Sequence, residues 1–171
     1  MTDDRGTYVE LDGRPAVRFE RRFRHPAERV WAAVSEPAEL AHWFPSQVDV
    51  EPHAGGRITF SGDPNTPPSS GTVLAYDPPR RLAFTWGGDE LHLTVESDGP
   101  EACTLTLVNV LEARDTAARN AAGWAVCLAE LDKQVGGAAT DGPHSGTAEP
   151  WKEHYDAYVA AGVPAGAPIP G

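Results

Sequence analysis

The side chains that could do chemistry are six histidines, two cysteines, and a few polar residues set into apolar patterns. His25, His42, His53, His92, His144 and His154 form neither an HxH nor an HExxH pair, so no metal-binding histidine motif is present. His25 and His53 fall in turns, His92 on an outward strand position, and His144 in a connector. His42, beside Trp43, is the one candidate for acid–base work, and a solvated surface histidine is the favoured reading of it. Glu149, Glu153, His154 and Asp156 cluster near the C-terminus, but their spacing matches no metal site and a solvated helix face accounts for them. Cys103 and Cys127 belong to no CxxC pattern, and the reading is of reduced, buried packing residues. GxSxG, P-loop and GxGxxG sequences are missing, so no motif calls for a nucleophile elbow or a nucleotide cofactor. Neither a catalytic residue, a metal nor a cofactor is implied.

Two polar residues interrupt faces that are otherwise apolar. In Ala16–Arg24, Val17, Phe19, Arg21 and Phe23 share one parity, which turns Arg21 toward the core. A buried guanidinium needs an anionic or carbonyl partner. That partner is either a ligand carboxylate or an internal acid, unless the side chain snorkels to the sheet's end. In Cys103–Leu111, Asn109 shares the inward parity of Leu105, Leu107 and Leu111. It can hydrogen-bond a ligand, a buried water or the backbone. Arg21 and Asn109 are the expected polar points of a pocket.

The element that must position them is Asp115–Val135. Ala117, Ala121, Trp124, Leu128, Leu131 and Val135 recur at helical spacing, so this stretch forms a long helix with one apolar face. Asp115 or Thr116 is the expected cap, Gly136-Gly137 the stop, and Gly123 a point of close helix–sheet contact. Before it, short alternating runs predict antiparallel strands joined by turns: Thr7–Arg14, Ala16–Arg24, Gln47–His53, Arg57–Ser61, Gly71–Tyr76, Arg81–Trp86, Glu90–Ser97 and Cys103–Leu111. Pro26 and Pro37 start two short helices between the second and third runs, ending near Trp43-Phe44. Residues 1–136 therefore read as one domain. Residues 137–171 read as a flexible Gly-rich connector, a short helix over Trp151–Ala161, and a Pro/Gly-rich tail.

A net charge of -11, from 25 acids against 14 Lys+Arg, disfavours nucleic acid and anionic lipid as partners. No apolar run approaches the roughly 18 residues of a membrane span. The MTDDRG start lacks the features of a signal or transit peptide. The expected location is the cytoplasm.

The stretches RRFRHPAERVWAAVSEPAELAHWF, GTVLAYDPPRRLAFTW and GWAVCLAEL resemble the START-like (SRPBCC) superfamily, and within it the heat-shock-protein-90 ATPase activator-like family. The resemblance covers about Ala16–Val135. It implies an α+β helix-grip fold: a curved antiparallel sheet of about six strands round the long helix, with two short helices between the first two core strands. It further implies an apolar cavity between sheet and helix, on which Trp43, Phe44, Phe60, Trp86 and Trp124 converge, with Trp43 and Phe44 near an opening. These aromatics, Arg21 and Asn109 are the expected ligand-binding residues; simple core filling is the alternative for the rings.

The function expected from this reading is binding of a small hydrophobic or aromatic molecule, whose carboxylate, if it carries one, would meet Arg21. The alternatives are a cyclase- or hydrolase-like enzyme of the same superfamily and a chaperone or stress-response interaction module. The eukaryotic activators carry a separate chaperone-binding domain for which this sequence has no room, which argues against a chaperone partner. Whether the C-terminal piece caps the cavity or docks on a second copy to make a homodimer is left open.

Overall fold

The computed structural model describes residues 5–169. Most of the acidic start (1–4) and the last two residues of the tail (170–171) lie outside them. The alternating runs form β1 (Thr7–Leu11), β2 (Arg14–Phe23), β3 (Gln47–Val50), β4 (Arg57–Ser61), β5 (Ser69–Asp77), β6 (Arg81–Trp86), β7 (Asp89–Ser97) and β8 (Cys103–Val110). All eight join one sheet in the order β1-β2-β8-β7-β6-β5-β4-β3, and the neighbouring strands pair antiparallel. The sheet exceeds the expected six strands because β1 extends one edge and β3 the other. β5 changes partner along its length, Ser69–Thr72 pairing with β4 and Val73–Asp77 with β6, and its register against β6 is irregular between Val73 and Ala75. A bulge of this kind bends a strand and sharpens the local twist, so the sheet can curl toward a helix.

Pro26 and Pro37 begin α1 (Ala27–Ser35) and α2 (Pro37–Leu40). Just past α2, the indole Nε1 of Trp43 donates to the Ala33 carbonyl at 2.8 Å, which ties the second helix back to the first.

The long helix, α3 (Ala117–Val135), lies across the concave face and buries Trp124, Leu128 and Leu131 to 2% exposure or less. The α+β helix-grip architecture expected over this region is present. The cap is not the one expected. Asp115 and Thr116 lie in a 3-10 turn, Arg114–Thr116, and neither side chain caps the helix. Thr116 Oγ1 instead donates to the Ala113 carbonyl at 2.7 Å. The first-turn amide of Ala118 donates to the carbonyl of Pro164, at 2.9 Å. The far end stops as expected: Gly137 has φ 83°, its amide reaches the Gln134 carbonyl at 3.1 Å, and the Ala138 amide reaches Lys133 at 2.8 Å. These two bonds make a Schellman motif.

α4 (Trp151–Ala160) packs along the outer side of α3. It also reaches the inward face of β2, where the Tyr158 ring stands edge-on to Phe19 with centroids 6.4 Å apart. Gly123 meets this helix rather than the sheet: a Cβ built there would lie 3.9 Å from Trp151 Nε1.

Candidate functional site

Four parts of the chain bring aromatic rings to one place beneath α3. Phe44 comes from the segment after α2, Phe60 from β4, Phe84 and Trp86 from β6, and Trp124 from α3. Phe44 is the hub, with ring centroids 5.7 Å from Trp43, 6.2 Å from Phe60 and Phe84, 5.7 Å from Trp86 and 5.6 Å from Trp124. Trp86 and Trp124 lie 5.3 Å apart. These separations are those of rings in mutual contact, mostly edge-on or tilted, as their quadrupoles favour. Trp43 is fully buried and Phe44 is 2% exposed, so neither stands at an opening. The partly exposed ring is Trp86, which forms the rim. Phe84 belongs to the cluster too; its strand parity with Trp86 carried that signal.

A polar knot adjoins this rim. Asn109, fully buried, donates from Nδ2 to Asp89 Oδ2 at 2.9 Å and accepts at Oδ1 from Trp124 Nε1 at 3.1 Å and Asn120 Nδ2 at 3.0 Å. Asn120 Nδ2 also donates to Asp89 Oδ2 at 3.1 Å, while the Glu112 amide donates to Asp89 Oδ1 at 2.8 Å. A buried amide is stable only when its donors and acceptor are met, and here the protein itself meets them. Asp89 and Asn120 were not picked out from the sequence. Asn120 stands one helical turn before Trp124, which puts both on one face; Asp89 reads only as a residue beside the Gly87-Gly88 turn.

Arg21 does not join Asn109. The partner of Asn109 across the strands is Val17, and Arg21 lies four residues farther along β2, about 13 Å away. Arg21 is 8% exposed and its guanidinium lies 5.8 Å from the Phe19 ring centroid. It lines a cleft of about 360 Å³ on the other side of α3, with Ala125, Ala129 and Asp132 of α3 and His154, Ala157 and Tyr158 of α4. His154 pairs with Glu149 at 2.8 Å. The Tyr158 hydroxyl accepts from the Gly6 amide at 2.9 Å.

A second concavity, of about 490 Å³, opens on the convex face of the sheet. Arg14, Glu90, His92 and Arg81 form a chain across it, with Arg14 2.5 Å from Glu90, His92 3.1 Å from Glu90, and Arg81 3.3 Å from His92. The hydrogen bonds from Arg14 and then His92 hold the Glu90 carboxyl below its ordinary range. The remaining histidines sit apart from the rings: exposed His42 lies 3.4 Å from Thr140 Oγ1, and His144 lies 2.9 Å from the Pro45 carbonyl. Cys103 and Cys127 are free and buried. Burial pushes the Cys103 thiol up to about 11 and the Cys127 thiol up as well, which keeps both protonated and unreactive. Among the described residues, no group of three or more His, Cys, Asp or Glu could hold a metal ion, and no helix is long and apolar enough to cross a membrane.

The same architecture recurs in solved structures. A conserved protein of unknown function from Enterococcus faecalis superposes with a TM-score of 0.73 at 19% identity, covering 91% of this chain and 89% of that one. CalU16 from Micromonospora echinospora, in solution, gives 0.71 at 21% identity and 94% of both chains. The Aha1 dimer from Colwellia psychrerythraea gives 0.58 at 18% identity, over 70% of this chain and 95% of that one. No curated protein matches the sequence. The family model described as "Activator of Hsp90 ATPase homolog 1-like protein" matches residues 24–136, well over half the chain, and the chain belongs to that family.

Proposed function

We propose that the chain is a binding module for a small apolar or aromatic molecule, received among the rings beneath α3 past the rim at Trp86. The observation that supports this reading is the ring cluster with its rim: a large apolar side chain, Trp86, stays partly in water beside a fixed polar knot. Apolar walls with a few positioned polar groups are the usual make-up of a small-molecule site. The rings are in contact with one another, so a ligand enters by rotating Trp86 away from Trp124 rather than by filling a standing void. Arg21 lies across α3 from the rings, so this site does not use it, and a ligand carboxylate is no longer part of the reading. An acid–base role has little support here, because Asp89, paired across the strands with Trp86, already accepts three hydrogen bonds.

The test is native mass spectrometry of the protein purified from its own host. The expected result is a co-purifying small molecule that Trp86→Ala loses while its circular dichroism stays unchanged. Protein that carries no adduct and binds none of a panel of naphthyl and indolyl compounds would refute the reading.

A second reading, an activator-like module acting on a chaperone ATPase, is favoured by the family's description and by the mutual contact of the rings, with both concavities opening elsewhere. Stimulation of Hsp90 ATPase turnover by the purified protein would favour it over the first.

A further inference from the structure

We propose that the C-terminal strap, residues 163–168, is the latch that holds the Trp86 rim closed; this rests on the reading of the ring cluster as the ligand site. The strap follows α4, turning at Gly162, whose φ is 89°. It then runs along the N-terminal end of α3. Pro164 accepts from the Ala118 amide at 2.9 Å, and the Ala167 amide donates to the Asp115 carbonyl at 3.3 Å. Between them Gly166 (φ 130°) passes close to Asp115. The first four amides of a helix have no partner within the helix, and α3 has no side-chain cap. The strap therefore does the work of a cap, and it reaches beyond residues 24–136, the span shared with the family.

What makes it a latch rather than a plain cap is where the contacts lead. Arg119 donates from Nη1 to the Pro168 carbonyl at 3.2 Å and from Nε to Asn120 Oδ1, also at 3.2 Å. Asn120 is bonded to Asp89 and to Asn109, and Asn109 accepts from the Trp124 indole. Trp124 is the ring against which Trp86 rests. An unbroken run of hydrogen bonds thus joins the strap to Trp124, and ring contact carries it on to the rim. When the strap lifts, the first turn of α3 loses an acceptor and Asn120 loses the arginine that orients it. The knot loosens, and Trp124 and Trp86 are free to part.

The experiment is amide hydrogen exchange on full-length Ala167→Pro, which removes the donor to Asp115, on full-length Arg119→Met, and on the two combined. The reporter is the Glu112 amide, which is bonded to Asp89 Oδ1 rather than to the strap. Exchange there should quicken about fivefold in each single variant, the factor given by losing one hydrogen bond. Ala167→Pro should add nothing further at Glu112 once Arg119 is Met, because the link is already cut. Acceleration confined to Ala118–Ala121 would overturn the latch, and so would acceleration spread evenly through β2 and β8. Binding of 1-anilinonaphthalene-8-sulfonate to the same variants separates the two readings. Tighter binding by Ala167→Pro supports both. Quickened exchange at Glu112 with no gain in dye binding keeps the link from strap to knot and refutes the ligand site.

Discussion

The two sides of α3 are built from different chemistry. Toward the sheet the helix presents Trp124, Leu128 and Leu131, all essentially buried among rings and aliphatic side chains. Toward α4 it presents Ala125, Ala129 and the exposed Asp132, with charged residues round a cleft. The first interface is held by the area of apolar surface removed from water. The second is held by the rings of α4, Tyr158 within the core and Trp151 and Tyr155 packed against it, and by backbone hydrogen bonds to the strap. Burial on the sheet side should therefore dominate stability, while the α4 side should tune it.

The comparison is sharpest at Phe44, which touches five other rings. Phe44→Ala should cost about 3–5 kcal/mol, the range for an aromatic removed from a core, read by urea unfolding. A loss under about 1 kcal/mol would mean that the cluster is loosely packed. Next in size is Asn109→Leu. It strands the Trp124 indole without its acceptor and takes one donor from Asp89, so it should cost about 2–3 kcal/mol despite the added apolar surface. A neutral or stabilising result would show that the knot is reached by water. On the α4 side, Tyr158→Phe removes the acceptor of the Gly6 amide and should lower stability by about 1 kcal/mol, seen as a small drop in Tm. Smallest, and of opposite sign, is Gly123→Ala. The nearest atom to a new Cβ is 3.9 Å away, and a helix-interior glycine gains about 0.5–1 kcal/mol on becoming alanine. Destabilisation there would mean that α3 and α4 pack more tightly than the geometry indicates.

The same contrast explains what could be read from the sequence. The sheet side was legible because period-2 and period-3.6 patterns report directly on burial: Phe60, Trp86 and Trp124 lie where their parity and spacing put them. Arg21 was legible as an inward residue for the same reason. Its surroundings were not, because the sequence of α4 carries no signal of which side of α3 it covers. The cap of α3 was misjudged because its acceptor comes from Pro164, more than forty residues away. The helix–sheet role for Gly123 failed likewise, since its neighbour is Trp151 of α4. Trp43 looked like a mouth residue from its place after a short helix, yet its indole is buried against Ala33. Asn109 showed itself as a polar break in an apolar face, but nothing local names Asp89, Asn120 and Trp124 as its partners.

The most direct test of the ring cluster as a ligand site uses the five tryptophans as separate reporters. Protein labelled with 5-fluorotryptophan and titrated with 1-anilinonaphthalene-8-sulfonate should show saturable fluorine shifts at Trp86 and Trp124, with Trp31 and Trp151 unmoved. Shifts at Trp151 alone would place binding in the cleft beside α4, and with that result the account of the Trp86 rim would be wrong.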